Sequence, residues 1–433
     1  MTLLGADYFI LVIDLLVLYC FFWTILSYEK KKKRLFGGDY VITIFVFLYI
    51  ISIFLSIVAD NGLSFLGFVK GLRNVSYWVV IFFISSYWMK SYDKVEKLIR
   101  VSLLGALIAL LWGFRQMLTG LYDFELQRIG QMGNVINEIY EYGRVRIPGT
   151  FGDPATYSFF MMSSFFCALI YAKCDDKKCF FVDYRIIALL FFIGMLSSMV
   201  RAPIMGLLIG VLLLCALLVV YGIRFEKKYI YVPIFVILSI FFLFYLVDFM
   251  LAEKILYNSD SYILEQIDHY LLTATTLVPE LFLSDNVLQR QLIRDLSQNM
   301  RLQSIYDSVQ FMMSNVYGGG LGSMTLNYNA VLSFYPLDVG YFFYGLNLGF
   351  LGMMSIIVIL IRVLFLGIIK IFTVSSSIIC FVGVVLLSCW IAMVISCSVT
   401  MYFSSEVVSV YSWLLAGAII NLDKIDFYYQ DTL

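Results

Sequence analysis

The sequence predicts an all-α polytopic membrane protein with about 11 transmembrane helices and one large extracytoplasmic loop subdomain. Three observations predict this fold. Of the 433 residues, 62% are hydrophobic and 14% are charged, whereas soluble proteins are about 45–50% apolar and about 25% charged. The apolar residues gather into runs of roughly 20, the length that crosses a bilayer as a helix. The eight cysteines lie mostly within those runs, so no disulfide framework is indicated.

The predicted spans divide the chain into three parts. Residues 1–248 hold transmembrane helices one to eight, with an outer loop at 117–154. Residues 249–338 form the large extracytoplasmic loop, and residues 339–433 hold the last three transmembrane helices. The spans are 8–27, 40–59, 74–90, 101–116, 155–172, 186–200, 203–222, 229–248, 339–361, 375–396 and 405–421.

The lysines and arginines predict the orientation of these spans. A basic run from Lys30 to Arg34 follows the first span, and short loops rich in lysine and arginine stay in the cytoplasm. Alternation from that point places the N-terminus outside and the C-terminus inside. It also places 19 basic residues inside and 11 outside, so net charge zero conceals an asymmetric distribution.

The two sides differ in the kind of basic residue as well. Lysine accounts for 14 of the 19 inner residues, and arginine for 9 of the 11 outer ones. A guanidinium group grips phosphate or carboxylate with two parallel hydrogen bonds, so the outer set indicates an anionic ligand. The alternative is solvated loop charge, or salt bridges with outer acids. The nine are Arg73, Arg115, Arg128, Arg144, Arg146, Arg201, Arg290, Arg294 and Arg301.

A helix is predicted at 286–314 in the large loop. At about 100° per residue, Arg290, Arg294 and Arg301 fall within about 40° of one another, opposite its apolar face. Such a stripe suits an anion site, and it equally suits a helix lying on the membrane surface with its arginines among lipid headgroups.

Two ionisable residues lie within or beside apolar spans. Arg201 stands at the tight turn between spans six and seven, where a charge is costly unless it faces a polar cavity or snorkels to the headgroups. Asp14 lies inside the first span, and the sequence names no partner for it.

Two stretches before the large loop share a recognisable pattern. Residues 146–161 read RIPGTFGDPATYSFFM, an arginine-glycine-phenylalanine-x-x-proline entry into a span that includes Asp153. Residues 197–210 read SSMVRAPIMGLLIG, a serine-arginine turn whose arginine is Arg201.

Two further stretches end the loop and open the next span. Residues 300–323 are an arginine-led helix, beginning at Arg301, that runs into a glycine-rich turn containing Gly319 and Gly320. Residues 338–352 read DVGYFFYGLNLGFLG. In this order, and with these spans between them, the four stretches resemble the bacterial O-antigen polymerase and ligase superfamily (the Wzy and WaaL type).

The fourth stretch favours one branch of that superfamily. Ligases carry histidine-asparagine at its start, where this chain has Asp338 and Val339, and the one histidine of the chain, His269, lies elsewhere. Polymerases more often carry an aspartate there, so the sequence resembles a polymerase better. An O-antigen ligase, or a flippase or transporter of lipid-linked oligosaccharide, remains the alternative.

The resemblance implies a glycosyltransferase in the bacterial plasma (inner) membrane. Its donor and acceptor are glycan repeat units on undecaprenyl diphosphate, which it polymerises into O-antigen or capsule on the outer face. Membrane lipid surrounds it, and a chain-length regulator and a flippase are candidate partners. The resemblance implies no cofactor and no metal, and the charge balance indicates no nucleic acid partner.

Residue roles follow from that chemistry. Arg146, Arg201 and Arg301 are the candidates to stabilise the leaving diphosphate, and Asp338 is either the base that accepts the hydroxyl proton or a salt-bridge partner of an arginine. Glycine amides in the turn are expected to approach phosphate, or else to form a flexible turn. Tyr341 is expected to stack on a sugar, or else to belong to the interfacial belt. The candidates for substrate binding are Arg144, Arg290, Arg294, Asp153, Gly319, Gly320 and Tyr341.

Overall fold

The protein is an all-α membrane protein in the computed structural model. The structure describes residues 4–31, 35–58, 65–131, 140–141, 144–174, 183–198, 200–231, 296–321, 340–399 and 406–431. The α-helices of this part of the chain are α1 (Leu4–Lys31), α2 (Tyr40–Val58), α3 (Phe65–Trp88), α4 (Tyr92–Thr119), α5 (Asp123–Gln131), α6 (Pro154–Cys174), α7 (Tyr184–Ser197), α8 (Arg201–Arg224), α9 (Leu296–Ser314), α10 (Gly340–Thr373), α11 (Ser377–Val399), α12 (Glu406–Ile419) and α13 (Leu422–Gln430). Two 3-10 turns (Leu35–Gly38 and Lys227–Ile230) and two short strands, β1 (Tyr140–Glu141) and β2 (Arg144–Val145), complete it.

Six of these helices are long and apolar enough to cross a bilayer, namely α2, α4, α6, α8, α10 and α11. Each overlaps one of the predicted spans, and α4 and α10 extend well beyond the spans predicted for them. Helices α12 and α13 meet at 61°, and together they pass the same test as one broken span. The apolar parts of α1 and α7 are shorter, and α3 carries Lys70 and Arg73 near its start. The predicted span at 229–248 lies outside the described residues beyond Tyr231.

The chain divides into two compact units. The first comprises 1–141, 145–214 and 304–433, and it holds most of the helices. The second comprises 142–144 and 215–303. In its described part, the Tyr221 hydroxyl donates a hydrogen bond to Glu226 at 3.0 Å, which ties the end of α8 to the turn that follows it.

The centre of the first unit is formed by α6 and α11. In their most apolar stretches 72% and 78% of the residues are buried, against 33–44% in the other four candidate spans. Helix α8 approaches α11 closely because Gly206 and Gly210 face it: a Cβ at Gly206 would collide with the Ala392 carbonyl, and one at Gly210 would lie 2.8 Å from the Ser388 carbonyl. Small residues four apart allow such backbone approach in membranes.

Two other helix pairs flank this centre. Helix α10 packs on α2, where a Cβ at Gly352 would meet the Ser52 hydroxyl at 2.9 Å. Helix α12 packs on α3, where the Ser85 hydroxyl donates a hydrogen bond to the Trp413 carbonyl at 2.8 Å. Buried tryptophans, Trp78 and Trp413, stack between these helices with ring centroids 4.5 Å apart.

Contacts between helix ends define two ends of this bundle. What we call the Gly149 end contains the ends of α4, α7 and α11 and the starts of α6, α8 and α10. What we call the Asp39 end contains the starts of α2, α4, α7 and α11 and the ends of α6, α10 and α12. At the Asp39 end, Asp39 binds Arg362 at 2.8 Å, and the Tyr171 hydroxyl donates to the Glu96 carbonyl at 3.2 Å.

Candidate functional site

The turn before α6 is held to the end of α4 by a side-chain amide that pairs with a backbone amide. Gln116 donates to the Gly149 carbonyl at 2.9 Å and accepts from the Gly149 N–H at 2.9 Å. Gln116 is buried, at 2% exposure. Both polar groups of Gly149 are therefore satisfied by one side chain, which places the segment between Arg146 and Asp153 precisely.

A carboxylate fixes that glutamine. Glu125, in the short helix α5, accepts a hydrogen bond from Gln116 at 2.7 Å and from the Trp112 indole at 2.9 Å. It also forms a two-pronged ion pair with Arg115, and it accepts the Tyr122 N–H at 2.7 Å. Its side chain is 7% exposed, so this charge is buried and paired.

The electrostatics of Glu125 follow from these partners. Burial by itself raises the pKa of Glu125, but hydrogen bonds from Arg115, the Tyr122 N–H and Gln116 outweigh burial and hold that pKa below its ordinary value. The Arg115 guanidinium also lies 4.3 Å from the ring centroids of both Trp112 and Tyr122. The carboxylate is therefore expected to stay ionised at neutral pH.

Gly149 has a backbone conformation that suits glycine alone. Its φ is +58°, in the left-handed region, and a Cβ there would collide with the Tyr157 ring. Tyr157 is itself buried and lies against Gly113 of α4 and Gly194 of α7. The glycine of the first family-like stretch is thus required by the close packing of α4, α6 and α7.

Asp153, a predicted substrate-binding residue, caps α6. One of its carboxylate oxygens accepts the Ala155 N–H at 3.1 Å, and the other accepts the Thr156 N–H at 2.8 Å and hydroxyl at 2.6 Å. Pro154 follows as the first residue of α6, where a missing N–H costs nothing. The structure therefore gives Asp153 a helix-capping role, and its contact with a substrate stays a prediction.

A pocket of about 220 Å³ opens beside this turn. Its wall combines aromatic and polar side chains with the backbone of the turn. Arg146 is half-buried and stands two residues before Pro148, which lines the pocket. The lining residues are Trp112, Gln116, Phe124, Glu125, Pro148, Gly149, Thr150 and Gly152.

The end of α11 brings together two other family-like stretches. The Ser396 hydroxyl lies 3.1 Å from the Ala202 carbonyl, in the first turn of α8, where Arg201 is the first residue. Two residues earlier, the Val394 carbonyl accepts a hydrogen bond from the Tyr341 hydroxyl at 2.6 Å. The first turn of α8, which begins at Arg201, and the first turn of α10, which contains Tyr341, therefore meet at the same end of α11.

The glycine-rich turn packs on a break in α10. Gly349 has a φ of +73° inside α10, and a Cβ there would collide with the Val316 carbonyl. The Gly319 N–H donates to the Leu346 carbonyl at 2.7 Å, and the Gly318 N–H donates to the Asn315 carbonyl at 2.9 Å. These two amides are therefore engaged within the protein. Phosphate binding by Gly319 and Gly320 stays a prediction.

Several predicted residues fall outside what the structure describes. Asp338, Arg290 and Arg294 lie outside the described residues altogether. Arg201 starts α8, Arg301 lies in α9 and Arg144 lies in β2, but their side chains lie outside the description. The described part of the predicted helix at 286–314 is α9, which begins at Leu296.

Among the described residues, two of the nine arginines that are predicted to be outer form the ion pairs described next. Arg73 of α3 binds Asp14 of α1 at 2.9 Å, which supplies the partner that the sequence does not name. Arg115 is bound to Glu125, as described above. These two arginines therefore form salt bridges, and an anionic ligand for the arginine set stays a prediction.

Gln116 and Glu125 are the residues that sequence reasoning missed. Gln116 lies in the last turn of a long apolar helix, and Glu125 lies in a short segment that has no family-like motif. The sequence offered one indication of this site, namely that Gln116 is a polar residue at the end of an apolar span. Among the described residues, no group of His, Cys, Asp and Glu is arranged to hold a metal ion.

Comparison with known proteins gives neither a matching family model nor a matching curated protein.

Proposed function

We propose that this chain is an oligosaccharide repeat-unit polymerase, a glycosyltransferase that joins undecaprenyl-diphosphate-linked repeat units at the outer face of a bacterial plasma membrane. One observation carries the proposal. Within the first unit, the described parts of all four family-like stretches lie at the Gly149 end of the bundle, although they are spread along some 200 residues of sequence. A shared reaction site requires such convergence, so this arrangement supports the proposal.

The contacts that support this convergence come from separate helix pairs. The start of α6 meets the end of α7, where the Ser158 hydroxyl donates to the Met195 carbonyl at 3.3 Å. The start of α8 and the start of α10 both meet the end of α11. The glycine-rich turn meets the first half of α10.

The proposal includes about 11 spans and a large extracytoplasmic loop. The described helices alternate between the two ends of the bundle, which supports the predicted alternation. Helix α8 runs from the Gly149 end towards the Asp39 end, because Gly206 faces Ser396 and Gly210 faces Ser388 of the antiparallel α11. The predicted span at 229–248 belongs to the same proposal and lies beyond Tyr231, outside the described residues.

The same pattern supports the proposed orientation. The Gly149 end corresponds to the side predicted to be outside, and the Asp39 end to the lysine-rich side. The N-terminus is then outside and the C-terminus is cytoplasmic. The product is O-antigen or capsule polysaccharide, and the alternatives are the ligase and the lipid-linked oligosaccharide flippase or transporter.

The proposed reaction needs few protein groups. A sugar hydroxyl of the acceptor attacks the anomeric carbon of the donor glycan, a new glycosidic bond forms, and the bond to undecaprenyl diphosphate breaks. Asp338 accepts the hydroxyl proton. Arg146, Arg201 and Arg301 stabilise the charge that develops on the leaving diphosphate, because fixed cationic donors act strongly where water is excluded. The network of Gln116 and Glu125 positions the segment that carries Arg146.

The test replaces Arg146, Arg201, Arg301 and Asp338 singly with alanine and examines the length of surface glycan by gel electrophoresis. A polymerase variant should leave a single repeat unit on its acceptor. The matched control is Arg100→Ala, since Arg100 is an exposed arginine at the Asp39 end and should leave long chains unchanged.

The other outcomes separate the alternatives. Loss of all surface glycan, including the single unit, would identify a ligase or a flippase. Normal chain length in all four variants, at normal protein levels, would refute the site.

A further inference from the structure

A second pocket, of about 430 Å³, lies at the Asp39 end of the bundle. It is twice the size of the pocket beside Gly149, and it falls within the range of about 300–1,000 Å³ that is usual for small-molecule sites. It opens where the end of α1, the junction of α3 with α4, and α13 meet. The lining residues are Trp23, Ser27, Tyr87, Trp88, Lys90, Ser91, Lys94 and Tyr428.

The charged residues of this pocket are both cationic. The ammonium group of Lys90 lies 4.5 Å from the ring centroid of Tyr87, and that of Lys94 lies 4.8 Å from the ring centroid of Trp88. Each aromatic face attracts the ammonium group above it and so favours its position at the pocket wall. Two lysines are therefore among the described residues that line this pocket.

The polar and aromatic groups around the lysines are also built into the fold. The Trp88 indole donates to the Thr24 hydroxyl of α1 at 2.9 Å, which fixes one wall. Ser91 precedes α4 and makes no side-chain capping hydrogen bond to that helix, so its hydroxyl is available at the positive end of the α4 dipole. Trp23 is 52% exposed and Tyr428 is 47% exposed at the rim.

The sequence beside the pocket adds attraction for anions. After Ser27, Tyr28 and Glu29 the chain continues into four consecutive lysines and an arginine, Lys30 to Arg34. Clusters of basic residues next to a transmembrane helix bind anionic lipid, with each residue contributing independently near the surface. Tryptophan and tyrosine are the residues that settle at headgroup level.

From these observations we propose that this pocket binds the headgroup of an anionic glycerophospholipid. The phosphate lies between Lys90 and Lys94, the Ser91 hydroxyl donates to it, and the acyl chains run out past Trp23 along the apolar face of α1. The inference is independent of the proposed polymerase activity and of which leaflet the pocket faces.

The test uses the purified full-length protein in neutral detergent and native mass spectrometry. Phosphatidylglycerol and phosphatidylcholine with identical acyl chains are added in turn. The wild-type protein should retain phosphatidylglycerol preferentially, and the Lys90→Gln, Lys94→Gln pair should bind it about tenfold more weakly. The Lys90→Arg, Lys94→Arg pair should bind it as the wild type does, because the charge is kept.

The matched control is Lys97→Gln. Lys97 lies on the same helix, is 73% exposed, pairs with Asp93 and does not line the pocket, so its loss should leave lipid binding unchanged. Equal retention of the two lipids, or wild-type affinity in the glutamine pair, would overturn the proposal.

Inorganic phosphate distinguishes a lipid from a free anion. At matched ionic strength, added phosphate should not displace phosphatidylglycerol, because the acyl chains add apolar contact that phosphate lacks. Displacement of the lipid by phosphate would overturn the lipid assignment in favour of a free phosphate site.

Discussion

The two ends of the bundle stabilise their loops in different ways. At the Gly149 end one buried glutamine and one buried carboxylate hold a turn through a connected set of hydrogen bonds. At the Asp39 end the ion pairs, such as Asp39 with Arg362 and Lys370 with Asp423, are partly exposed and join neighbouring helix ends, beside a buried carboxylate, Asp426, that accepts hydrogen bonds from Ser375 and Ser376. A connected buried network fixes geometry more strictly than independent, partly exposed pairs do. A reaction site needs the fixed geometry found at the Gly149 end. The ion pairs at the Asp39 end need only hold neighbouring helix ends together.

The largest effect is expected for Glu125→Ala. Removal of the carboxylate leaves Arg115 with an uncompensated charge and leaves Gln116 and Trp112 each short of an acceptor, so unfolding should become easier by about 3–5 kcal/mol. Denaturant unfolding of the purified protein in detergent measures it. Glu125→Gln keeps an acceptor at the same place and should lose less, and equal losses in the two variants would contradict the network.

A smaller loss is expected for Gly149→Ala. A Cβ here meets the Tyr157 ring and is also disfavoured by the left-handed φ that the turn imposes, with a combined cost of about 2–4 kcal/mol. Gly120→Ala is the matched control, since Gly120 has a φ of +75° and no atom within 4 Å of the place where an added Cβ would lie. Its ψ of −173° gives Gly120 a backbone conformation that is nearly restricted to glycine, so that control should lose about 1–3 kcal/mol from backbone strain alone. Similar melting temperatures for the two variants would show that the Tyr157 contact is unimportant.

At the Asp39 end the expected coupling is smaller still. A double-mutant cycle with Asp39→Asn and Arg362→Gln should give a coupling energy of about 1–2 kcal/mol, because the Arg362 side chain is 34% exposed and solvent screens the pair. Asparagine keeps the cap that Asp39 provides to the Ile42 N–H at 2.9 Å. A coupling as large as the loss in Glu125→Ala would remove the distinction between the ends.

The smallest effect is the dependence of stability on acid. Burial raises the pKa of Asp39, but hydrogen bonds from Arg362 and the Ile42 N–H lower it by more, and the pKa of Glu125 is lowered likewise. Since both values lie below those of the unfolded chain, near 3.8 and 4.5, the stabilisation is complete above those values. It is lost as the pH falls through the folded-state values.

The melting temperature is measured between about pH 6 and pH 3, a range that brackets the ordinary pKa values of carboxyl groups. Glu125→Gln should flatten the fall in melting temperature as acid is added. A slope that matches that of the wild type would show that Glu125 does not titrate with unfolding.

The predicted spans and the described helices correspond closely where the apolar runs are uninterrupted. Helices α2, α8 and α11 begin and end within about three residues of the predicted spans. The last predicted span, 405–421, corresponds to α12, and α13 follows it after a 61° bend near Asn421. Asn421 is buried and donates hydrogen bonds to the carbonyls of Ser86 and Gly417. The contact with Ser86 joins distant parts of the chain, so no local sequence pattern predicts it.

For the candidate site, too, some features could be predicted from the sequence and others depend on the tertiary structure. The glycine and proline of the first family-like stretch could be predicted to matter, since a turn into a helix needs such residues. That Asp153 caps α6, and that Tyr341 donates to Val394, depends on where neighbouring groups lie. Gln116 and Glu125 were not predicted because their partners are distant in sequence or lie outside any motif.

The sequence by itself determined that this is a helical membrane protein and which segments are apolar enough to cross, because transfer of a 20-residue run into lipid depends on composition alone. It also separated the lysine-rich loops from the arginine-rich ones. Only the tertiary structure decided that Arg73 neutralises Asp14 and that Gln116 holds Gly149. It alone brought the starts of α8 and α10 to the end of α11. The physical reason is that hydrogen bonds and ion pairs between helices depend on which helices pack together, and many packings satisfy the same hydropathy.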